Sequence, residues 1–396
     1  MARESIVLVS GVRTAIGKFA GSLKDFEASD LGGIAVRAAV ERAGLEPAQV
    51  DEVVMGCVAS AAENAFMARL SALKAGIPHE ATALTVNRLC ASGLQAIVTA
   101  GQEISDGFCD IAVAGGAESM SNIPYYLRKA RFGYRMGEGK LEDGLITAVT
   151  CPINQYHMGI TAENVAKKFG ITREDQDRYA AESQQRAAAA RDAGKFDGEI
   201  VPVQYRISRK EEGVFKTDEY IRGESTVESL SKLSPAFLTD GTGTVTPGNA
   251  SGINDAGAAV VLMAESRAAQ MGLKPLARIA GSAVAGVDPA VMGTGPIPAV
   301  RKLVKKTGVS LADIGVIELN DAFAAQALAC IRELELDPET VNVNGSGISL
   351  GHPIGATGAI ISIKLMNEMA RRNVRYGLAT LCIGGGQGLA VLFERC

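Results

Sequence analysis

The chain has 396 residues, 47% of them hydrophobic, and a formal net charge of -4, so it is long enough for two or three domains and carries no excess positive charge to favour nucleic acid as its main partner. Its seven cysteines are odd in number, widely spaced and free of CxxC pairs, which points away from a disulfide framework or a zinc site and toward a reducing compartment. The chain runs at once into a strand and holds no run of membrane-spanning length, so it is expected to be soluble and cytoplasmic, with no membrane partner.

Ile6 to Val9 reads as the first strand. Asp30 opens an amphipathic helix that sets Leu31, Ile34, Ala38 and Ala39 on one face, and Gly44 closes it as a left-handed cap. Val50 to Met55 is a second strand, and a helix from about Asn64 to Gly76 follows. Ala83, Leu84 and Val86 read as a short buried strand that passes through Asn87-Arg88-Leu89-Cys90-Ala91-Ser92-Gly93 straight into a helix marked by Leu94, Ile97, Val98 and Ile104. Asp110 to Ala114 is the next strand and leads into Gly115-Gly116. Such alternation is the pattern of a mostly parallel α/β sheet covered on both faces.

The same order returns later in the chain. Ala35 to Gly44 lies over Ala299 to Gly308 without a gap, and the register continues with Val50 on Ile314 and Gly56 on Asn320. The helix from Gly93 matches the one from Gly358, and Ala114-Gly115-Gly116 matches Ile383-Gly384-Gly385. Two related halves follow from this long-period repeat. The second half passes directly into its last strand, Leu389 to Phe393, whereas the counterpart in the first, Ala258 to Met263, comes only after a long insertion. The expected division is therefore residues 1–121, completed by 250–272, then an insertion over 122–249, then 273–396. The insertion carries a basic cluster (Arg128, Lys129, Arg131, Arg135) and helical segments over Ala162 to Phe169 and Arg173 to Ala193, the second capped by Thr172. A solvated lid and an oligomer contact both suit such a region.

Cys90 falls near a helix N-terminus, where unpaired amides and the helix dipole favour the nucleophilic thiolate; taken alone it reads more readily as a small core residue. The chain has three histidines, His79, His157 and His352. His352 lies in a glycine-dense loop before a helix starting near Gly355, nearly the place in the second half that Cys90 occupies in the first. Approximate two-fold symmetry would bring thiol and imidazole together. Cys382 precedes a turn rich in glycine whose amides could form an oxyanion hole. Asn320 ends the preceding strand and could hold a water toward the same centre, or cap a helix. Four strand ends thus aim polar groups one way, as ligand sites of open α/β sheets do.

Five segments together, Asn87 to Gly93, Gly248 to Asp255, Asn320-Asp321-Ala322-Phe323, Gly351-His352-Pro353-Ile354-Gly355-Ala356-Thr357-Gly358 and Cys382 to Gly388, resemble in order and spacing the signatures of the thiolases. The resemblance covers the whole chain. It implies duplicated five-stranded α/β halves in a five-layer αβαβα fold with an inserted loop domain. It also implies an acyl-CoA C-acyltransferase that reversibly joins two acetyl-CoA into acetoacetyl-CoA and coenzyme A through a cysteine-linked acyl enzyme, with coenzyme A as substrate and product and no separate cofactor or metal. In that likeness Cys90 would be the acylated nucleophile, His352 its base, and Cys382 the acid/base at the α-carbon. Asn320 would hold a water that forms one oxyanion hole with His352, and the amides of Cys90 and Gly384 would form the other. Coenzyme A would lie along the insertion on His157, Arg222, Phe237 and Ser251, with the acyl end among Leu89, Met158, Met292 and Phe323. A homotetramer, built as a dimer of dimers, and a place in fatty-acid metabolism are implied as well.

Three departures stand out. Gly345-Ser346-Gly347 replaces the common Gly-Gly-Ala, Pro247 replaces a small residue, and Asp321 stands where glutamate is commoner; none removes a catalytic group. A degradative thiolase cleaving longer 3-ketoacyl-CoA is the nearest alternative. A ketoacyl synthase would pair its cysteine with two histidines, where Asn320 and Cys382 stand here. A non-catalytic acyl-CoA binding protein would not need two cysteines and a histidine converging. Cys57, Cys109 and Cys330 are assigned to packing.

Overall fold

Strands and helices alternate through residues 4–396, the part of the chain that this computed structural model describes. The first half comprises β1 (Ile6–Thr14), α1 (Ala28–Arg42), β2 (Glu52–Gly56), α2 (Met67–Lys74), β3 (Thr82–Val86), α3 (Ser92–Ser105) and β4 (Ile111–Ser119). The insertion contributes α4 (Met158–Phe169) and α5 (Arg173–Asp192), after which β5 (Asn254–Ala264) completes the first half. The second comprises β6 (Ala277–Gly286), α6 (Pro296–Thr307), β7 (Ile314–Leu319), α7 (Ala324–Glu333), α8 (Thr357–Arg372), β8 (Tyr376–Ile383) and β9 (Gln387–Arg395).

Local chemistry explains the boundaries. Glu27 and Asp30 form a reciprocal capping box, so α1 starts at Ala28 rather than Asp30. The segment read as one helix from Asn64 opens as a 3₁₀ turn, Ala62–Phe66, before α2. Thr172 and Asp175 cap α5 in the same reciprocal way as α1.

The strand order is β7-β8-β9-β6-β1-β5-β4-β2-β3, which repeats the duplication in space: β5 lies between β1 and β4 as β9 lies between β6 and β8. Two residue pairs, Val7 with Arg278 and Leu8 with Ala277, join the halves at the β1–β6 seam. The expectation of mostly parallel strands is corrected. Among these strands β2–β3, β2–β4 and β7–β8 are parallel, whereas β5 and β9 run against both of their neighbours. The reason is visible at β9, which follows β8 through the tight turn Gly384–Gly386, and a turn that short can only reverse the chain. In the second half a single bridge, Ile317 with Val341, stands where the first half has β3.

The reading of β3 as buried is also corrected. It is the edge of the sheet, and Leu84 is 41% exposed.

Three large apolar clusters show the layering. One packs α1 and α2 on the outer face of the first half, another packs α6 and α7 on the outer face of the second, and the largest fills the space around α3 and α8 between them. Those two central helices touch backbone to backbone near their N-termini. A Cβ on Gly93 would stand 2.9 Å from the Ala359 amide nitrogen, and one on Gly358 would stand 2.2 Å from that of Leu94. Only glycine allows this approach, and it carries the segments preceding both helices to one place.

Arg13 of β1 ties the insertion to the core. Its fully buried guanidinium meets Glu199 at 2.8 Å and Asp218 at 2.7 Å. Among the described residues no helix is long and apolar enough to cross a membrane, and no cluster of His, Cys, Asp or Glu is arranged to hold a metal ion.

Candidate active site

Cys90 sits on an elbow between β3 and α3. Leu89 has φ +47°, a left-handed conformation that costs a non-glycine residue about 1–2 kcal/mol. Side chains fix the elbow. The Asn87 carboxamide accepts from the Leu89 amide at 3.0 Å and donates to the Val58 carbonyl at 3.1 Å. The Ser92 hydroxyl accepts from the Arg88 amide at 2.9 Å and donates to the Leu89 carbonyl at 2.7 Å.

The half-buried Cys90 thiol receives the amides of Gly384 and of Cys90 itself, but burial outweighs them and raises its pKa. The sequence reading of a helix-stabilised thiolate is corrected accordingly. At rest the group holds its proton, so a base must take it.

His352 is suited to that task. Burial pushes its pKa down to about 4, so the imidazole is neutral at pH 7. Its Nδ1 lies 2.7 Å from the Thr357 hydroxyl, which donates its single proton to the Pro353 carbonyl at 2.9 Å. The hydroxyl therefore accepts from Nδ1–H. That leaves Nε2 with its lone pair available as a base. The His352 amide donates to Asn254 Oδ1 at 2.9 Å, and Asn254 in turn donates to the Gly17 carbonyl at 3.0 Å.

Asn320 continues β7 by donating its amide to the Thr380 carbonyl at 3.0 Å, and its Nδ2 faces His352 Nε2 at 3.5 Å. Cys382 ends β8, fully buried in one cluster with Met292 and Phe323, against which Met158 and Phe237 pack. Burial first, and the neighbouring Cys90 second, push its thiol well up. Gly384 has no room to spare: a Cβ there would lie 3.1 Å from Met158 Cε and 3.2 Å from Leu89 Cδ1.

A largely apolar cavity of about 330 Å³ opens on this centre. Cys90, His352 and Gly384 line it, and all four acyl-pocket candidates, Leu89, Met158, Met292 and Phe323, reach it. Of the coenzyme A candidates, His157, Phe237 and Ser251 line it as well. The His157 and Phe237 rings stack with centroids 4.7 Å apart, and His157 Nδ1 accepts from the Gly159 amide at 3.0 Å, so it caps α4 while forming the wall. Arg222 does not line the cavity. Its amide is held by Gln184 and its guanidinium lies over the Tyr220 ring, at 5.1 Å from the centroid.

Sequence reasoning missed Thr357 and Asn254 as the groups that orient His352. Both lie within quoted motifs, so the signal was the motif itself.

A thiolase N-terminal domain matches residues 6–266 and a thiolase C-terminal domain matches residues 273–395. The chain belongs to the thiolase family. It is 52% identical over 396 residues to beta-ketothiolase BktB of Cupriavidus necator, covering 100% of both chains, and 52% identical over 394 residues to the acetyl-CoA acetyltransferase of Escherichia coli, covering 99% of each. This thiolase superposes on the Bacillus anthracis acetyl-CoA acetyltransferase with TM-score 0.97 at 46% identity over 100% of both chains. It also superposes on human mitochondrial 3-ketoacyl-CoA thiolase in complex with CoA with TM-score 0.95 at 44% identity, over 99% of this chain and 98% of the other.

Proposed function

We propose that this thiolase reversibly condenses two acetyl-CoA into acetoacetyl-CoA and coenzyme A through an acetyl group carried on Cys90. The observation that carries the reading is the convergence of the Cys90 thiol, the neutral His352 imidazole and Gly384 on one apolar cavity, with the buried Cys382 thiol beside Cys90.

Protons balance over these groups. His352 Nε2 takes the Cys90 proton as the sulfur attacks the thioester carbonyl of the first acetyl-CoA, and the amides of Cys90 and Gly384 receive the oxyanion. The C–S bond breaks, and coenzyme A leaves with the proton held by Cys382. The Cys382 thiolate then takes an α-proton from the second acetyl-CoA, and the enolate attacks the acetyl carbonyl. Cys90 sulfur departs and recovers its proton from His352. Asn320 and a water beside His352 would stabilise the enolate oxygen. His157, Phe237 and Ser251 would flank the pantetheine of coenzyme A, and Arg222 is assigned to the part of coenzyme A outside the cavity.

Intact mass after addition of acetyl-CoA tests the reading: one acetyl group, mapped to Cys90, is expected. Acetyl on Cys382 with Cys90 unmodified would overturn it.

One observation favours longer chains as a second reading. A larger cavity of about 930 Å³ shares Val58, Leu89, Ile146, Ala148 and Met158 with the first, so the residues between the two include the flexible Met158 at the acyl end. A kcat/KM on 3-ketoacyl-CoA of ten or more carbons equal to or above that on acetoacetyl-CoA would make this a degradative thiolase. The family likeness further supports a homotetramer in fatty-acid metabolism with no separate cofactor, and the seven free cysteines fit the cytoplasmic setting we infer; light scattering checks the assembly.

A further inference from the structure

Glu118, on β4, is a wholly buried carboxylate to which the mechanism above gives no part. Each of its contacts is a donor. Oε2 accepts from the Val58 amide at 2.9 Å, Oε1 accepts from the Ala59 amide at 3.0 Å and from the Cys57 thiol at 3.6 Å, and the Gly355 amide also donates to the carboxylate. A Cβ on Gly355 would lie 2.5 Å from Oε2, so glycine is what lets that loop come so close.

The held segments are the walls around Cys90. Val58 and Ala59 come from the first half, and Ile354, beside Gly355, comes from the His352 loop of the second. Cys90 packs in one apolar cluster with all three. We propose that Glu118 is a positioning residue for the acyl transfer, whose single carboxylate clamps a wall from each half of the molecule against Cys90 and so sets the distance between Cys90 and His352. The proposal rests on the reading of Cys90 as the nucleophile.

The clamp needs a carboxylate, because a glutamine would turn its amide protons toward a backbone amide and trade an acceptor for a clash of donors. The carboxylate also acts on the thiol through its charge. Cys90 neighbours Cys382 of β8 and lines one cavity with His352 from the loop before α8, and burial first, with the charge of Glu118 after it, opposes ionisation of its thiol. Burial pushes Glu118 up to about 7, so above that pH its charge is present.

Two variants separate position from charge. E118D keeps the charge but withdraws it by one methylene; E118Q keeps the length and removes the charge. Alkylation of Cys90 by iodoacetamide, mapped by mass and followed from pH 7.5 to 10, reports the thiol, and thiolysis of acetoacetyl-CoA reports the chemistry. For E118Q the alkylation midpoint should fall and kcat should drop by at least about tenfold, as misplacing a reacting group can cost up to about 10²-fold. For E118D the midpoint should stay and kcat should fall alike, with KM within about twofold of the parent, since His157, Phe237 and Ser251, assigned to coenzyme A, lie outside the clamped segments. An unshifted midpoint in folded E118Q, or a kcat within about threefold of the parent in E118D, overturns the proposal. Should E118Q not fold, E118D decides alone, and should neither fold, an alkylation midpoint in the parent below the ordinary thiol value of about 8.5 overturns it. Failure of acetyl-CoA to label Cys90 in the parent would instead sink the reading of the nucleophile, which keeps the two failures distinct.

Discussion

Cys382 and Cys90 stand in one site with opposite demands, since acyl transfer needs a nucleophile and condensation needs a group that exchanges a proton with carbon. Truncating Cys382 to alanine should divide these steps. The C382A variant should still acquire one acetyl group on Cys90, though more slowly because coenzyme A must then leave as the thiolate, while losing condensation by ~10² to 10⁴, the usual worth of a positioned acid/base. Absorbance of the magnesium enolate measures the second, and condensation within about threefold of the parent would remove Cys382 from the mechanism. His352 makes a pH prediction. Its folded pKa of about 4 lies below the value of about 6.5 in an unfolded chain, so the unfolded state binds the extra proton between those values. Its stabilising contribution is therefore complete above 6.5 and is lost as pH falls toward 4. Against an H352Q variant that cannot titrate, the parent should lose about 2 kcal/mol between pH 6.5 and 5, read by urea unfolding at each pH; an equal loss in both would show that His352 is charged when folded. The identities of these residues were legible in the sequence because each lies inside a motif. The resting protonation of Cys90 was not, since helix position is written in the sequence and burial from the other half is not.

The approach of α3 to α8 is set by two residues without side chains. Gly358→Ala would drive a methyl into the Leu94 amide, which belongs to a helix backbone and has nowhere to go. We expect it to cost on the order of 3 kcal/mol or more, in the range of severe core overpacking, and to lower acetylation of Cys90 because the segments before both helices move apart. Gly44→Ala is the control. It has φ +70° and nothing within 4 Å of a new methyl, so only backbone strain of about 1 kcal/mol is expected, with activity unchanged. Thermal unfolding separates them, and similar losses for the two would mean that the helix contact is not what matters. The periodicity of α3 and α8 could be read from the chain, and so could their correspondence. Their contact could not, because a glycine in a helix looks the same whether it faces a partner or solvent. β3 failed for a related reason: alternation identifies a strand, but whether both of its faces are covered depends on its place in the sheet.

Across the whole molecule the insertion is held to the core by a buried charge cluster. Removing Arg13 strands Glu199 and Asp218 inside the protein, so R13A should destabilise by about 3–5 kcal/mol, and limited proteolysis should open the insertion before either half; uniform resistance would show that other contacts suffice. The duplication was readable because a gapless register, Ala35 to Gly56 over Ala299 to Asn320, survives at a separation of hundreds of residues, whereas the mixed strand directions depend on turns that no periodicity records. That duplication has now diverged completely in labour. The first half carries Cys90 and Glu118, the second carries His352, Asn320, Cys382 and the Gly384 amide, and the β1–β6 seam joins them through two residue pairs. Neither portion holds a working set. The polypeptide link between β5 and β6 is then what fixes the local supply of each partner to the other. Cut within residues 267–272, the chain becomes a two-component enzyme whose turnover should rise with the product of the two fragment concentrations until the seam is saturated, and whose activity should decay on dilution while the intact chain's does not.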